Sequence, residues 1–265
     1  MRSPARTSPK RTVSSNTLLV SLPWYDLPGS ASAVDTFWLS AKRTLKRVGV
    51  QHLPAELERQ TPLFTQWRSP HLLLSQCCGL DLFAPHAAAL KPVARPVFAT
   101  LDCEAGSYYS LIVTRPGSSP RGVAAVNSVW SRSGYTALLE WLRDEGLGWP
   151  RFKVSGSHTE SLRLLCAGRA DVAAIDAHSW QYLDHCGLEV IGKTRSAPTP
   201  PYVTRAGGGA GDTLLAALSE AAAVAGKTVG INGVLPVSRY DFESLRLEAE
   251  TWGGAVPVSS SQSPA

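Results

Sequence analysis

Three stretches in the middle of the chain carry residue types suited to holding a small oxyanion. The apolar run ending at Val126 gives way to Asn127, Ser128, Ser131, Ser133, Gly134 and Tyr135, followed by a helical pattern built on Leu138, Leu139 and Leu142. A helix start offers unpaired backbone N–H groups and a partial positive charge; serine hydroxyls add donors, and a glycine lets an oxyanion come close. Ser155, Gly156, Ser157 and His158 repeat that order after Val154, with the imidazole as a further donor. After Ile175, Asp176 places a carboxylate at a third strand end, ahead of His178 and Ser179. Ser and Asp are also preferred helix N-caps, so any one of these turns is explained by capping alone. Three in neighbouring strand–helix units point instead to a shared site, because ligands of open α/β sheets bind in the crevice outside the carboxyl ends of the strands.

Other chemistries find less support. Gly187 to Thr194 spells GxxxxGK[ST], but a phosphate-binding loop must follow a strand and open into a helix. Leu188, Glu189, Val190 and Ile191 read as the strand itself, and Pro198, Pro200 and Pro201 just beyond exclude a helix. The five cysteines, Cys77, Cys78, Cys103, Cys166 and Cys186, are odd in number and contain no CxxC, so they read as buried free thiols rather than a disulfide framework. The six histidines show no HExxH and no ligand spacing with cysteine, so no metal is expected. Nor is a cofactor expected, since no cofactor fingerprint occurs.

The elements that position these turns follow from periodicity. Strand-length apolar runs occur near Thr17–Leu22, Leu72–Ser75, Val93–Ala99, Tyr109–Thr114, Val123–Asn127, Phe152–Val154, Val172–Ile175, Val190–Gly192 and Tyr202–Thr204. Between them lie helical stretches, an order that builds a parallel sheet covered by helices. The first helix presents Val34, Phe37, Trp38, Ala41, Leu45 and Val48 on one face and Lys42, Arg43, Lys46 and Arg47 on a solvated one. Others begin near Ser133, near His158 with Leu162, Leu165 and Cys166 inward, and at Ala210. A chain of 265 residues with 44% hydrophobic content is long enough for one large domain or for two lobes with separate cores. Its formal charge of +5 owes much to Arg2, Arg6, Lys10 and Arg11, leaving a nearly neutral body without the basic face that nucleic acid requires. No run reaches the roughly 18 apolar residues of a membrane span. The acid-free head lacks the continuous apolar stretch of a secretory signal.

Taken in order, Ser21-Leu-Pro-Trp-Tyr25-Asp26, Leu72-Leu-Leu-Ser-Gln76, Tyr109-Ser-Leu-Ile-Val113, Ala125-Val-Asn-Ser128 with Ser133-Gly134-Tyr135, Ser155-Gly-Ser-His158 and Gly168-Arg-Ala-Asp-Val-Ala-Ala-Ile-Asp176 resemble the phosphate, phosphite and phosphonate binding proteins of ABC importers, the PhnD-like group of the type 2 periplasmic-binding fold. The resemblance runs from about residue 16 to 250. It implies two α/β lobes, the second inserted in the first and joined by two hinge crossings: lobe 1 at 16–104 and 195–252, lobe 2 at 105–194, a basic head at 1–15 and a loose tail at 253–265. It further implies that Ser131, Ser133, Gly134 and His158 hold the oxyanion beside Tyr135, with Asp176 nearby and Tyr25 and Gln76 facing the cleft from the first lobe. A carboxylate beside a phosphate dianion is repulsive unless a proton or cation lies between, so Asp176 would select a ligand with P–OH or an amine. Trp24, Trp130, Trp180 and Tyr108 are candidate apolar walls, though such residues more often belong to a core.

The function so implied is a solute-binding protein that captures a small phosphorus oxyanion and presents it to an ABC permease, as a monomer. Resemblance points to the periplasm, the missing signal to the cytoplasm. Two alternatives stand beside it: a cytosolic enzyme on the same fold, with His158 and Asp176 as acid and base, and a ligand sensor.

Overall fold

The computed structural model describes residues 16–252; the basic head and loose tail lie outside the described residues. In chain order the elements are β1 (Leu19–Val20), α1 (Ala31–Arg47), α2 (Leu63–Arg68), β2 (Leu72–Gln76), β3 (Leu90–Phe98), β4 (Ser107–Tyr108), β5 (Ser110–Thr114), β6 (Val123–Val126), α3 (Ala137–Asp144), β7 (Arg151–Val154), α4 (His158–Cys166), β8 (Val172–Asp176), α5 (Ala177–Trp180), β9 (Glu189–Lys193), β10 (Ala197–Pro198), β11 (Tyr202–Arg205), α6 (Gly211–Ala225), β12 (Ile231–Pro236) and α7 (Glu243–Trp252). A π-helical turn, Arg132–Thr136, leads into α3.

Two five-stranded sheets result, ordered β1-β2-β11-β3-β12 and β7-β6-β8-β5-β9, with the short antiparallel pair β4–β10 between them in sequence. Strands of the second sheet all come from residues 110–193, and those of the first from both flanks. More than one sheet was expected and two form, but the expected parallel pairing is corrected, since both are mixed. Where a helix connects strands, as α3 and α4 do, the pairs β6–β7 and β6–β8 are parallel. β5 arrives directly from β4 and runs antiparallel to both β8 and β9.

Each sheet buries its own apolar residues. On the first, Leu74 and Val203 meet Trp38 and Leu45 of α1 and Leu218 of α6. Pleating of the second sends Ile112 toward Leu138 and Leu142 of α3, and its neighbour Val113 toward Leu162 and Leu165 of α4. All nine expected strands are present. Two expected core positions are not: Val48 falls just past the end of α1 and is 61% exposed, and Cys166 at the last position of α4 faces outward.

Cys166 is disulfide-bonded to Cys186, with Cα atoms 6.2 Å apart, which corrects the expectation of free thiols for these two. The segment after α5 folds back to the end of α4 and brings together cysteines 20 residues apart, a proximity that spacing alone does not reveal. Cys77 and Cys78 are buried free thiols, and Cys103 is half-buried. The GxxxxGK[ST] stretch forms β9, as its apolar middle predicts.

Candidate functional site

Three N-caps form where the sequence places them. Ser131 Oγ accepts from Gly134 N at 3.0 Å, Ser157 Oγ from Glu160 N at 3.1 Å, and Asp176 Oδ1 from the N–H groups of His178 and Ser179 at 2.8 and 2.9 Å. Capping and a shared site turn out to be compatible, because all three caps border one cavity of about 350 Å³. Its other wall comes from segments that belong with the first sheet, through Trp24, Phe64, Trp67, Cys78 and Asp81.

The donors are linked. Ser131 Oγ lies 3.3 Å from Ser133 Oγ, which lies 2.9 Å from His158 Nε2. Burial pushes the His158 pKa down to about 4, against a weaker opposing pull from the Ala174 backbone, so the ring is neutral at pH 7. When Nε2 carries the ring proton it donates to Ser133 Oγ and leaves the serine O–H free for an anion. Asn127 and Ser128 extend this polar end. Gly134 is required by close approach: a Cβ there would sit 1.8 Å from Asn127 Oδ1.

Among the described residues no lysine or arginine lines the cavity. Arg132 lies between the two serines but turns its buried guanidinium away, toward Glu140 and Glu248, each at 3.5 Å. An anion here meets neutral hydroxyl, amide and imidazole groups. Beside them, Asp176 is held up at about pKa 6 by burial, tempered by the backbone N–H groups of Ser179 and His178 and by the Tyr25 hydroxyl. Near neutrality it exchanges between a carboxyl that can donate to an oxyanion and a carboxylate that can accept from P–OH.

Ser131, Ser133, His158 and Asp176 thus line one cavity, with Gly134 packed behind them. Tyr25 and Gln76 are buried and line a separate cavity of about 20 Å³. Both reach the larger site indirectly: the Tyr25 hydroxyl donates to Asp176 Oδ2 at 3.3 Å, and Gln76 Oε1 accepts from Trp24 N at 3.3 Å. Tyr135 packs edge-on against Phe152 in the second core. Of the four candidate apolar walls, Trp24 and Trp130 line the cavity. Trp180 stacks on His185 at 3.7 Å, and Tyr108 is buried in the first core. Sequence reasoning missed Phe64, Trp67 and Asp81, whose only advance signal is an aromatic pair three residues apart at Phe64 and Trp67.

A family model described as the periplasmic substrate-binding protein of a phosphonate ABC transporter matches residues 82–228. Among solved structures, a Xanthomonas citri protein bound to ATP is similar at 16% identity and TM-score 0.65, covering 92% of this chain and 100% of that one. A binding-protein component of an ABC phosphonate transporter from Pseudomonas aeruginosa is similar at 14% identity and TM-score 0.64, over 88% of this chain and 85% of that one. PhnD1 from Prochlorococcus marinus, in complex with methylphosphonate, is similar at 15% identity and TM-score 0.61, over 90% and 98%. No curated protein sequence matches. At these identities the structural likeness shows the fold, which is the type 2 periplasmic-binding fold expected from the sequence.

Proposed function

Because the chain belongs to the family of periplasmic substrate-binding proteins of phosphonate ABC transporters, we propose that its solute is a phosphorus oxyanion held by Ser131, Ser133 and His158 in the cavity that Asp176 also lines. A solute-binding role for an ABC importer follows from the family. The identity of the solute and the residues that hold it are our reading. The observation that carries it is the convergence of three capped turns on one cavity.

In this reading the segments around the two sheets act as lobes, 16–104 with 195–252 and 105–194. The short β4–β10 pair lies at their junction and acts as the hinge. Closure around the anion creates the surface that a permease recognises, with the protein working as a monomer. Among the described residues no helix is long and apolar enough to cross a membrane. The Cys166–Cys186 disulfide supports work in an oxidising compartment such as the periplasm.

Isothermal titration with phosphate, phosphite, methylphosphonate, aminoethylphosphonate and sulfate tests the proposal. One-to-one binding of a phosphorus oxyanion, abolished in Ser133→Ala with His158→Ala, is expected. Binding that persists undiminished in that double variant would move the site elsewhere.

A further inference from the structure

Besides the hydroxyl donors, the cavity is lined by aromatic rings. Trp24 stacks near Trp67, with centroids 6.5 Å apart and planes at 21°; Trp67 meets Phe64 at 5.5 Å; Phe64 meets His86 at 4.7 Å; and His86 meets Trp130 edge-on at 5.5 Å. This arc starts on segments of the first sheet and ends on the second, at the residue just before the Ser131 cap. Two of its members are large exposed apolar side chains that line the cavity: Phe64 is 39% and Trp130 44% exposed. Water-exposed aromatic surface gathered at one place marks a position that a partner covers.

A bare oxyanion is too small to cover it in the cleft as it stands. The volume of about 350 Å³ falls in the range that small organic ligands fill, and the hydroxyl donors account for one end only. We propose, on the basis of the phosphorus-oxyanion reading above, that the solute carries an aromatic ring on its phosphorus substituent, as an arylalkyl phosphonate or aryl phosphate monoester does. The phosphorus oxygens meet Ser131, Ser133 and His158, and the ring lies between Phe64 and Trp130 over Trp24 and Trp67.

An aromatic wall also suits a cationic substituent, which the ring faces attract. Trp24, Phe64, Trp67 and Trp130 outnumber the two acids, Asp81 and Asp176, in the lining, which favours the neutral ring. Asp81 Oδ2 accepts from Cys78 N and Asp81 Oδ1 contacts His86 Nε2, both at 2.9 Å. Asp176 spends Oδ1 on two backbone N–H groups and Oδ2 on Tyr25. The partners of Asp176 are neutral, so it stays available to a P–OH or an ammonium group, and aminoethylphosphonate tests the latter.

The test is titration calorimetry of the whole chain with benzylphosphonate, phenyl phosphate, methylphosphonate, inorganic phosphate and aminoethylphosphonate. Burying a ring is expected to make benzylphosphonate or phenyl phosphate bind about tenfold to a hundredfold more tightly than methylphosphonate. In Trp130→Ala, and separately in Phe64→Ala, the aryl-to-methyl affinity ratio should fall toward one. Phosphate or methylphosphonate binding as tightly as the aryl ligands would overturn the inference and leave the oxyanion reading intact. Tightest binding of aminoethylphosphonate would replace the neutral ring by a cation. Failure of every phosphorus ligand with folded protein would remove the oxyanion reading and this inference with it.

Discussion

A methyl group added at Gly134 would meet Asn127 Oδ1 at 1.8 Å, and Asn127 lines the cavity, so this glycine couples packing to ligand binding. Gly134→Ala should cost about 1–3 kcal/mol of stability through overpacking and weaken phosphonate binding as Asn127 is displaced; urea denaturation and calorimetry report the two separately. Protonation at this scale has a definite sign. Burial lowers His158 and His178 to about 4 from 6.5, so each contributes stability that is complete above pH 6.5 and is lost as pH falls toward 4. Asp176 is raised from 3.8 to about 6, so its contribution is complete below pH 3.8 and lost as pH rises through 6. Two histidines oppose one aspartate, and stability should therefore fall between pH 6.5 and pH 4. Asp176→Asn keeps a capping acceptor and removes the buried charge, so it should raise the urea midpoint at pH 8, by roughly 2 kcal/mol in free energy, and change it little at pH 4. The serines, His158 and Asp176 were legible because caps follow strands in a readable order. Phe64 and Asp81 were not, because nothing local says that they share a cavity with a turn roughly 50 to 70 residues further on.

Helices α3 and α4 were legible for a simple reason: Leu138, Leu139 and Leu142, and likewise Leu162 and Leu165, recur at helical spacing and are all buried. β12 escaped notice because Gly233 and Pro236 interrupt it, as an edge strand tolerates. β9 shows the converse. Its apolar run was read as strand, yet Val190 and Ile191 are 48% and 40% exposed, since it too lies at a sheet edge. The disulfide joins α4 to the loop before β9 and closes a segment of about 20 residues. Replacing both cysteines by serine should lower stability by about 3 kcal/mol, on the loop-closure model. Thiol titration of the unfolded, unreduced wild type should find the three free cysteines; five would mean that the bridge does not form.

At the scale of the molecule, α7 ties the two sheets together. Phe242, just before its start, and Leu245 lie in the first core, and a Cβ on Gly79 would come within 2.8 Å of both side chains. Trp252, at its end, lies in the second core under Arg143 and against Trp149. Between them Glu248 faces the guanidinium of Arg132, the residue between the two anion-site serines. Glu140, whose pKa burial and then Glu248 raise, shares that guanidinium and also pairs with Arg195 at 3.1 Å. Any hinge closure that brings Phe64 toward Trp130 must move α7 as well, or bend it at this cluster. Glu248→Ala leaves Arg132 buried with one carboxylate fewer, a change that should cost about 3 kcal/mol of stability. If α7 takes part in closure, the same substitution weakens ligand binding, and in combination with Ser133→Ala the two losses are not additive, because both act on the Ser131–Ser133 turn. A loss of stability with unchanged affinity would make α7 a fastening between the sheets with no share in closing the cleft.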